Sequence, residues 1–168
     1  MSQSLAQTQE QLIELLPRLR RFARTLAHNP HDADDLVQVA IERALMRLDQ
    51  WRPGSRLDSW MFGIIKNAWI DEVRSRRRRQ SVLAPEEAGE HVADFASEAH
   101  IHRLSLEAAL AQLPDEQRLA VALVLVEGLA YKEAAEVMDV PIGTLTSRLA
   151  RGREALENLL GGKEGGAS

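Results

Sequence analysis

The feature that most restricts the fold of this chain is an apolar stripe between residues 36 and 48. Leu36, Val37, Ala40, Ile41, Ala44, Leu45 and Leu48 recur at three- and four-residue spacing, which lines one face of a helix. Asp35, Gln38, Glu42, Arg43 and Met46 fall outside the stripe and face elsewhere. A preceding segment repeats the pattern with Leu12, Leu15, Leu16, Leu19, Phe22, Ala23 and Leu26, and Pro17 inside it predicts a kink or a restart. Between the two, "HNPHDADD" breaks the period and places Asp32 or Asp34 to cap the stripe-bearing helix. No stretch alternates with period two, so the expected fold class is all-α.

A loop follows at "DQWRPGSR", where Pro53 and Gly54 end the helix and shape a turn. A third helix runs from about Ser59, with Trp60, Ile64, Ala68 and Asp71 on one side and Phe62, Lys66, Trp69 and Val73 on another. It continues into Arg74, Arg76, Arg77, Arg78 and Arg79, a concentration of positive charge in a chain of formal net charge −4. Two readings of that run stand open: a solvated helix end, or a patch that binds phosphates through its local field.

After Gln80 the composition changes. Glu86, Glu87, Glu90, Asp94 and Glu98 occur with Pro85 and Gly89 and without Lys or Arg, the pattern of an acidic linker. Helical spacing resumes at Leu106, Ala109, Leu110 and Leu113, and another helix covers about Asp115 to Glu127, containing the apolar run "LAVALVLVEGLA" that stops at Glu127 and Gly128. The organisation expected is two small helical domains, 8–80 and 104–160, joined by a flexible linker over 81–103 and followed by a disordered tail over 161–168.

"GLAYKEAAEVMDVPIGTLTSRLARGREAL" carries the most chemical information. Tyr131 to Met138 offers small Ala134 and Ala135 for close helix approach, and Asp139, Val140 and Pro141 make a short turn. Leu145 and Leu149 face inward on the next helix, leaving Thr146, Ser147, Arg148, Ala150, Arg151 and Arg153 outside. Hydroxyls and a helix N-terminus can hold phosphate, and arginine can grip guanine bidentately, so this is the layout of a helix-turn-helix that reads the major groove.

These segments together resemble the extracytoplasmic-function sigma factors of bacterial RNA polymerase. "DADDLVQVAIERAL" is similar to the part of that family that docks on the polymerase clamp, "WMFGIIKNAWIDEVRSRRRR" to the part that melts and reads the −10 element, and "LPDEQRLAVALVLVEGLAYKEAAEVMDVPIGTLTSRLARGREAL" to the −35 reader. The resemblance implies that Asp35, Leu36, Gln38 and Glu42 meet the clamp coiled coil. It implies that Trp51, Arg52, Ser55, Arg56, Lys66, Asn67, Arg74, Arg76, Arg77 and Arg78 address the −10 region, with Trp51, exposed by its loop position, stacking on an extruded base. Trp60 is expected in the core, because its spacing to Ile64 and Ala68 is that of a buried face. Thr144, Thr146, Ser147, Arg148, Arg151 and Arg153 would address the −35 element. Two departures stand out: Val39 where the family usually has an acid after the docking glutamine, and Thr146 where Lys or Arg is common. Gly152, in mid-helix, costs about 1 kcal/mol relative to alanine, and the sequence offers no reason for it.

The partners implied are core RNA polymerase, promoter DNA and an anti-sigma factor. A sigma mimic that only sequesters an anti-sigma factor has less reason to keep the arginines, and a plain helix-turn-helix regulator leaves the Asp35/Gln38 face without a use. An enzyme fits worst. His100 and His102 are two apart and point to different helix faces, His28 and His31 flank Pro30 in a turn, and no catalytic or phosphate-loop pattern stands out. No cofactor or metal is expected. The chain has no cysteine, secretory signal or long apolar span, so a cytoplasmic protein without membrane insertion is expected.

Overall fold

The computed structural model describes residues 4–27, 29–82 and 98–161, and among these there are helices and no strands. The expected acidic linker and tail, with the histidine at 28, lie largely outside the described residues. Helix α1 (Leu5–Leu26) opens with a capping box: Gln7 N–H donates to Ser4 Oγ at 3.2 Å, and Ser4 N–H to Gln7 Oε1 at 3.0 Å. It runs unbroken through Pro17, against the expected restart. Pro17 cannot donate to the Ile13 carbonyl, but both residues lie on the solvent side, where water can serve that oxygen. The cost, about 3 kcal/mol, is offset by burial of Leu12, Leu19, Phe22 and Leu26, each worth about 1.5–3 kcal/mol.

Helix α2 (Pro30–Met46) is capped by Asn29, whose Oδ1 accepts from Asp32 N–H at 2.8 Å, with Pro30 in the first turn. Asn29 therefore takes the role expected of Asp32 or Asp34, and the helix begins earlier than the sequence pattern suggested. Leu36, Val37, Ala40 and Ala44 are buried as the stripe predicts, whereas Leu45 is 48% exposed. A single 3-10 turn (Leu48–Gln50) leads into the loop before α3 (Leu57–Val82). Met61, Phe62 and Ile65 of α3 are fully buried, and the Phe62 ring lies 4.8 Å from that of Phe22.

The second half comprises α4 (Glu98–Gln112), α5 (Asp115–Val121), a π-helical turn (Ala122–Val126), α6 (Tyr131–Met138) and α7 (Ile142–Gly161). The π turn is closed by Glu127 N–H donating to the Ala122 carbonyl at 2.9 Å, five residues back. Asp139 ends α6 in the left-handed region (φ 57°), and Pro141's carbonyl accepts from Thr144 and Leu145 to start α7. Leu145 and Leu149 are buried, as expected.

Gly152 now has a reason. A Cβ there would sit 2.8 Å from Val121 Cγ2 and 3.2 Å from the Gln117 carbonyl oxygen, so the absent side chain lets α7 lie directly against α5. Val121 is β-branched and stiff, and the carbonyl belongs to a helix, so neither gives way cheaply. Overpacking of about 1–3 kcal/mol exceeds the helix-propensity gain of about 1 kcal/mol. Gly152→Ala should lower the melting temperature of the full chain by about 2–6 °C in a circular-dichroism melt. An unchanged or raised melting temperature would contradict this packing.

The two halves are in contact. Helix α3 lies along α6, and α1 touches α4, α5 and the π turn. Arg118 of α5 is 4% exposed and donates to the carbonyls of Leu110 (2.8 Å), Ala111 (3.0 Å) and Leu113 (2.9 Å) around the end of α4. A fourth bond reaches the carbonyl of Leu26, the last residue of α1, at 3.0 Å. One guanidinium thus serves carbonyls at the ends of two helices, one from each half, of which Leu110's also accepts from Leu113 N–H at 3.1 Å.

Candidate nucleic-acid and polymerase interface

Helical geometry sorts the expected site residues by direction, at 100° per residue. On α2, Asp35, Gln38, Val39 and Glu42 form one exposed ridge that continues to Met46, 83% exposed. Asp35 has His31 Nε2 3.5 Å away. Leu36 does not join the ridge. It is buried at 7% exposure and lines a groove towards α3 with Asp35, Val39 and Arg43. The Val39 departure falls in the middle of the ridge, where its apolar side chain is 38% exposed.

The loop before α3 departs most from expectation. Trp51 is buried at 7% exposure, and its indole N–H has no hydrogen-bond partner among the described residues. Loop position led to the expectation of exposure, but burial of a large apolar ring outweighs the cost of one unmet donor, about 1–3 kcal/mol. Trp60 is half-buried against the core. Arg52 and Ser55 are exposed, with Ser55 Oγ donating to the Arg52 carbonyl at 2.6 Å.

Arg56 is anchored by two acids. Its Nη2 donates to Asp58 Oδ2 at 2.7 Å, and its Nη1 pairs with Glu133 on α6. These bonds, to Asp58 first and Glu133 second, raise the Arg56 pKa. Burial of Asp58 favours its neutral form, but the Arg56 and Arg18 guanidiniums and the Ser59 N–H outweigh it and hold the carboxyl below its usual range.

Lys66, expected at the DNA surface, is instead 8% exposed. It lines a cleft of about 640 Å³ between α3 and the helix-turn-helix, with Trp69, Arg74, Arg77, Met138 and Arg148 among its neighbours. Burial lowers its pKa, opposed by the charge of Asp139. Asn67, next in sequence, faces solvent. The arginine run is helical to Val82 and wraps around α3 rather than forming one patch. Arg76 turns back to Asp32 and Glu72, and Arg79 to Glu72 at 3.3 Å. Arg74, Arg77 and Arg78 point the other way, with Arg77 Nη2 3.2 Å from Asp115.

On α7, Thr144, Ser147, Arg148 and Arg151 share one ridge and line a depression with Gly143, Glu116 and Gln117. Arg148 Nη2 lies 3.3 Å from Glu116 Oε2. Thr146 and Arg153 sit on the opposite flank, about 160–180° around the helix from Thr144. Thr146 Oγ1 donates to the Gly143 carbonyl at 2.9 Å. The structure brings together four of the six expected −35 residues and separates two.

Sequence reasoning missed the ion pairs between the halves. The Glu127 side chain is fully buried, and its carboxylate accepts from Arg21 Nε and Nη2 at 3.0 and 2.8 Å. Arg18 Nε stands 3.7 Å from the same carboxylate, and Arg18 Nη1 donates to Asp58 at 3.1 Å. The one visible signal was Glu127 itself, a charge ending an apolar run. Among the described residues no group of three acidic, histidine or cysteine side chains is arranged to hold a metal, and no helix is long and apolar enough to cross a membrane.

Residues 12–79 match the family described as Sigma-70 region 2, and residues 103–156 match Sigma-70, region 4. Those two regions in one chain define a sigma-type transcription initiation factor. The chain is 36% identical over 151 residues to the ECF RNA polymerase sigma factor EcfG of Rhodopseudomonas palustris (strain TIE-1), covering 90% of this chain and 83% of that protein. It is 31% identical over 145 residues to the ECF RNA polymerase sigma factor SigW of Bacillus subtilis (strain 168), covering 79% and 77% respectively. The sigma factor RpoE from Bartonella quintana, solved in complex with the anti-sigma factor NepR, superposes with a TM-score of 0.78 at 32% identity, over 91% of this chain and 96% of that one. This chain belongs to the extracytoplasmic-function RNA polymerase sigma factors of the sigma-70 family, and is an alternative sigma factor.

Proposed function

We propose that the unit over residues 8–80 docks on the clamp coiled coil of core RNA polymerase through Asp35, Gln38, Val39 and Glu42, and opens and reads the −10 element with α3 and the loop before it. The unit over 104–160 then reads the −35 element with Thr144, Ser147, Arg148 and Arg151. The chain works in the cytoplasm and carries no chemical step of its own; bond formation belongs to the polymerase. A partner anti-sigma factor covers these surfaces until transcription is called for, as the Bartonella quintana relative's complex suggests by analogy. The observation that supports the −35 reading is the single α7 ridge of two hydroxyls and two arginines, Thr144, Ser147, Arg148 and Arg151, which line one depression.

Purified chain with bacterial core polymerase on a genomic promoter library tests this reading. Transcript starts that share spaced −35 and −10 elements are the expected result. Active core enzyme with neither transcripts nor core binding would instead favour a sigma mimic or a plain regulator.

The division of the arginine run makes a quantitative prediction for the unit's duplex contacts. Arg74, Arg77 and Arg78 share a side of α3, so three phosphates are neutralised there rather than five. The log–log salt slope lost on replacing those three by glutamine should be about 3, at roughly 0.9 per phosphate, while Arg76→Gln and Arg79→Gln change it by less than about 0.5. Equal losses at all five positions, read by fluorescence anisotropy across a salt series, would overturn that division.

A further inference from the structure

The cleft of about 640 Å³ between α3 and the helix-turn-helix has the size of a small-molecule site, which typically runs about 300–1,000 Å³. Its lining is apolar with a surplus of positive charge. Val73 of α3 and Leu119, Met138 and Val140 of the second half supply apolar surface. Lys66, Arg74, Arg77 and Arg148 line the same cleft, against the carboxylates of Asp115 and Glu116. Both carboxylates are taken, Asp115 by Arg77 at 3.2 Å and Glu116 by Arg148 at 3.3 Å. Lys66 and Arg74 remain, and neither makes an ion pair or a side-chain hydrogen bond with another described residue.

Lys66 and Trp69, one turn apart on α3, are 8% and 6% exposed, and both line this cleft. Burial disfavours the Lys66 ammonium and lowers its pKa, and the charge of Asp139 only opposes that shift. The Trp69 indole N–H likewise has no acceptor among the described residues. A buried ammonium is costly unless an acceptor meets it, and it has three donors to spend. Two buried side chains with unspent donors, beside an apolar wall, make a seat for an anion that carries an apolar body. A phosphate monoester suits it, with three acceptor oxygens and close to two negative charges above a pH of about 6.

We propose that this cleft binds a small organic phosphate: the phosphate accepts from Lys66 and Trp69, and a planar apolar body lies along Val73 and Met138 towards Arg74 at the rim. The site stands on the cleft and its two buried donors, whatever the chain does to DNA. An occupant also withholds Lys66 and Arg74 from a duplex. That consequence alone rests on the −10 assignment under Proposed function, and it makes the ligand an antagonist of DNA binding.

The probe is 1-naphthyl phosphate, titrated into the full-length chain by isothermal calorimetry at low salt. Saturable binding at a single site is expected, with inorganic phosphate and neutral 1-naphthol each at least about tenfold weaker. Lys66→Met keeps the apolar stem without the charge and should weaken the probe by roughly tenfold or more. Trp69→Phe keeps an aromatic ring without the donor and should weaken it by about three- to tenfold. Arg74→Gln, at the exposed rim, should cost about two- to fivefold. Far-ultraviolet circular dichroism confirms that each variant keeps its helices.

A parent chain without saturable binding would overturn the site, as would binding that Lys66→Met and Trp69→Phe leave unchanged. Inorganic phosphate binding as tightly as the probe would overturn the apolar part of the ligand. Loss of duplex affinity in Lys66→Met, from a parent that ignores the probe, would assign Lys66 to DNA alone. For the antagonism, saturating probe should weaken the parent's hold on a random-sequence duplex of about 20 base pairs by about threefold or more, and leave Lys66→Met unaffected. Unchanged duplex affinity would overturn the antagonism and leave the measured site standing. Transcription with core polymerase reports separately on the sigma-factor reading, and its failure would sink that reading without touching the calorimetry.

Discussion

Arg118→Ala should be among the most destabilising substitutions in this protein, lowering stability by about 3–5 kcal/mol and the melting temperature by about 10 °C. The guanidinium is buried, and its donors are spent on four backbone carbonyls. Each of those oxygens stands at or near a helix end, and Leu110's alone also accepts a backbone N–H outside the helix, from Leu113 at 3.1 Å. Truncation leaves them facing a cavity, and water can satisfy some of them but not restore the geometry. Burial lowers the Arg118 pKa, with Asp115 opposing, but an arginine remains charged under any ordinary condition, so the loss should be nearly independent of pH between about 5 and 9.

Arg118→Lys offers three donors on one atom in place of a planar fork of five, and should recover less than half of the loss. Thermal melts of the three chains, followed by circular dichroism, decide the matter. A drop below about 2 °C for the alanine variant would mean that the carbonyls find other partners and that Arg118 does not organise the ends of α1 and α4. The sequence shows Arg118 as one more charged residue in a helix; only the fold reveals that its side chain points inward at helix termini.

How far the sequence went depended on how local the physics was. The stripe of α2 and the inward Leu145 and Leu149 were legible because helical period relates each residue to neighbours three and four positions away. Leu45 failed at the edge of that stripe, since apolar identity marks a broader arc than the bundle covers. Trp51 failed because loops were equated with exposure, whereas this loop folds its indole under the bundle. The cap fell to Asn29 rather than an aspartate because Pro30 already fits the first turn of a helix. Gly152 could not be explained from its own helix, because the constraint is Val121 on another.

The candidate site divided along the same line. Ridge membership on α7 and α2 follows from spacing, and counting 100° per residue would have separated Thr146 and Arg153 from Ser147 and Arg148 without any coordinates. The pairing of Arg56 with Glu133 and of Arg21 with Glu127 joins residues far apart in the chain, with no period to reveal it. A resemblance to a family could supply expected roles for single residues, but it did not show that α3 and the helix-turn-helix touch.

Arg148→Ala should cut transcription from the preferred promoter by about 5- to 150-fold, the equivalent of losing one bidentate guanine contact worth about 1–3 kcal/mol. The effect should be concentrated at one base pair. With a −35 library, the parent's preference at that position should flatten in the variant while preferences elsewhere persist, which a phosphate contact would not produce. Arg148→Lys should also fail to restore the preference, because a single ammonium cannot reproduce the fork.

Arg153→Ala provides the control that the helix geometry demands. Arg153 lies on the flank opposite Thr144, so its loss should weaken binding by less than about threefold and equally for all sequences. Glu116, 69% exposed and 3.3 Å from Arg148, offers only a weak competing pair and should yield to a base edge at little cost. If Arg153→Ala instead produced the sequence-dependent loss and Arg148→Ala a uniform one, α7 would enter the groove by its other flank. Thr146 would then return as a specificity residue, and the surface formed by Thr144, Ser147, Arg148 and Arg151 would have to serve a protein partner instead.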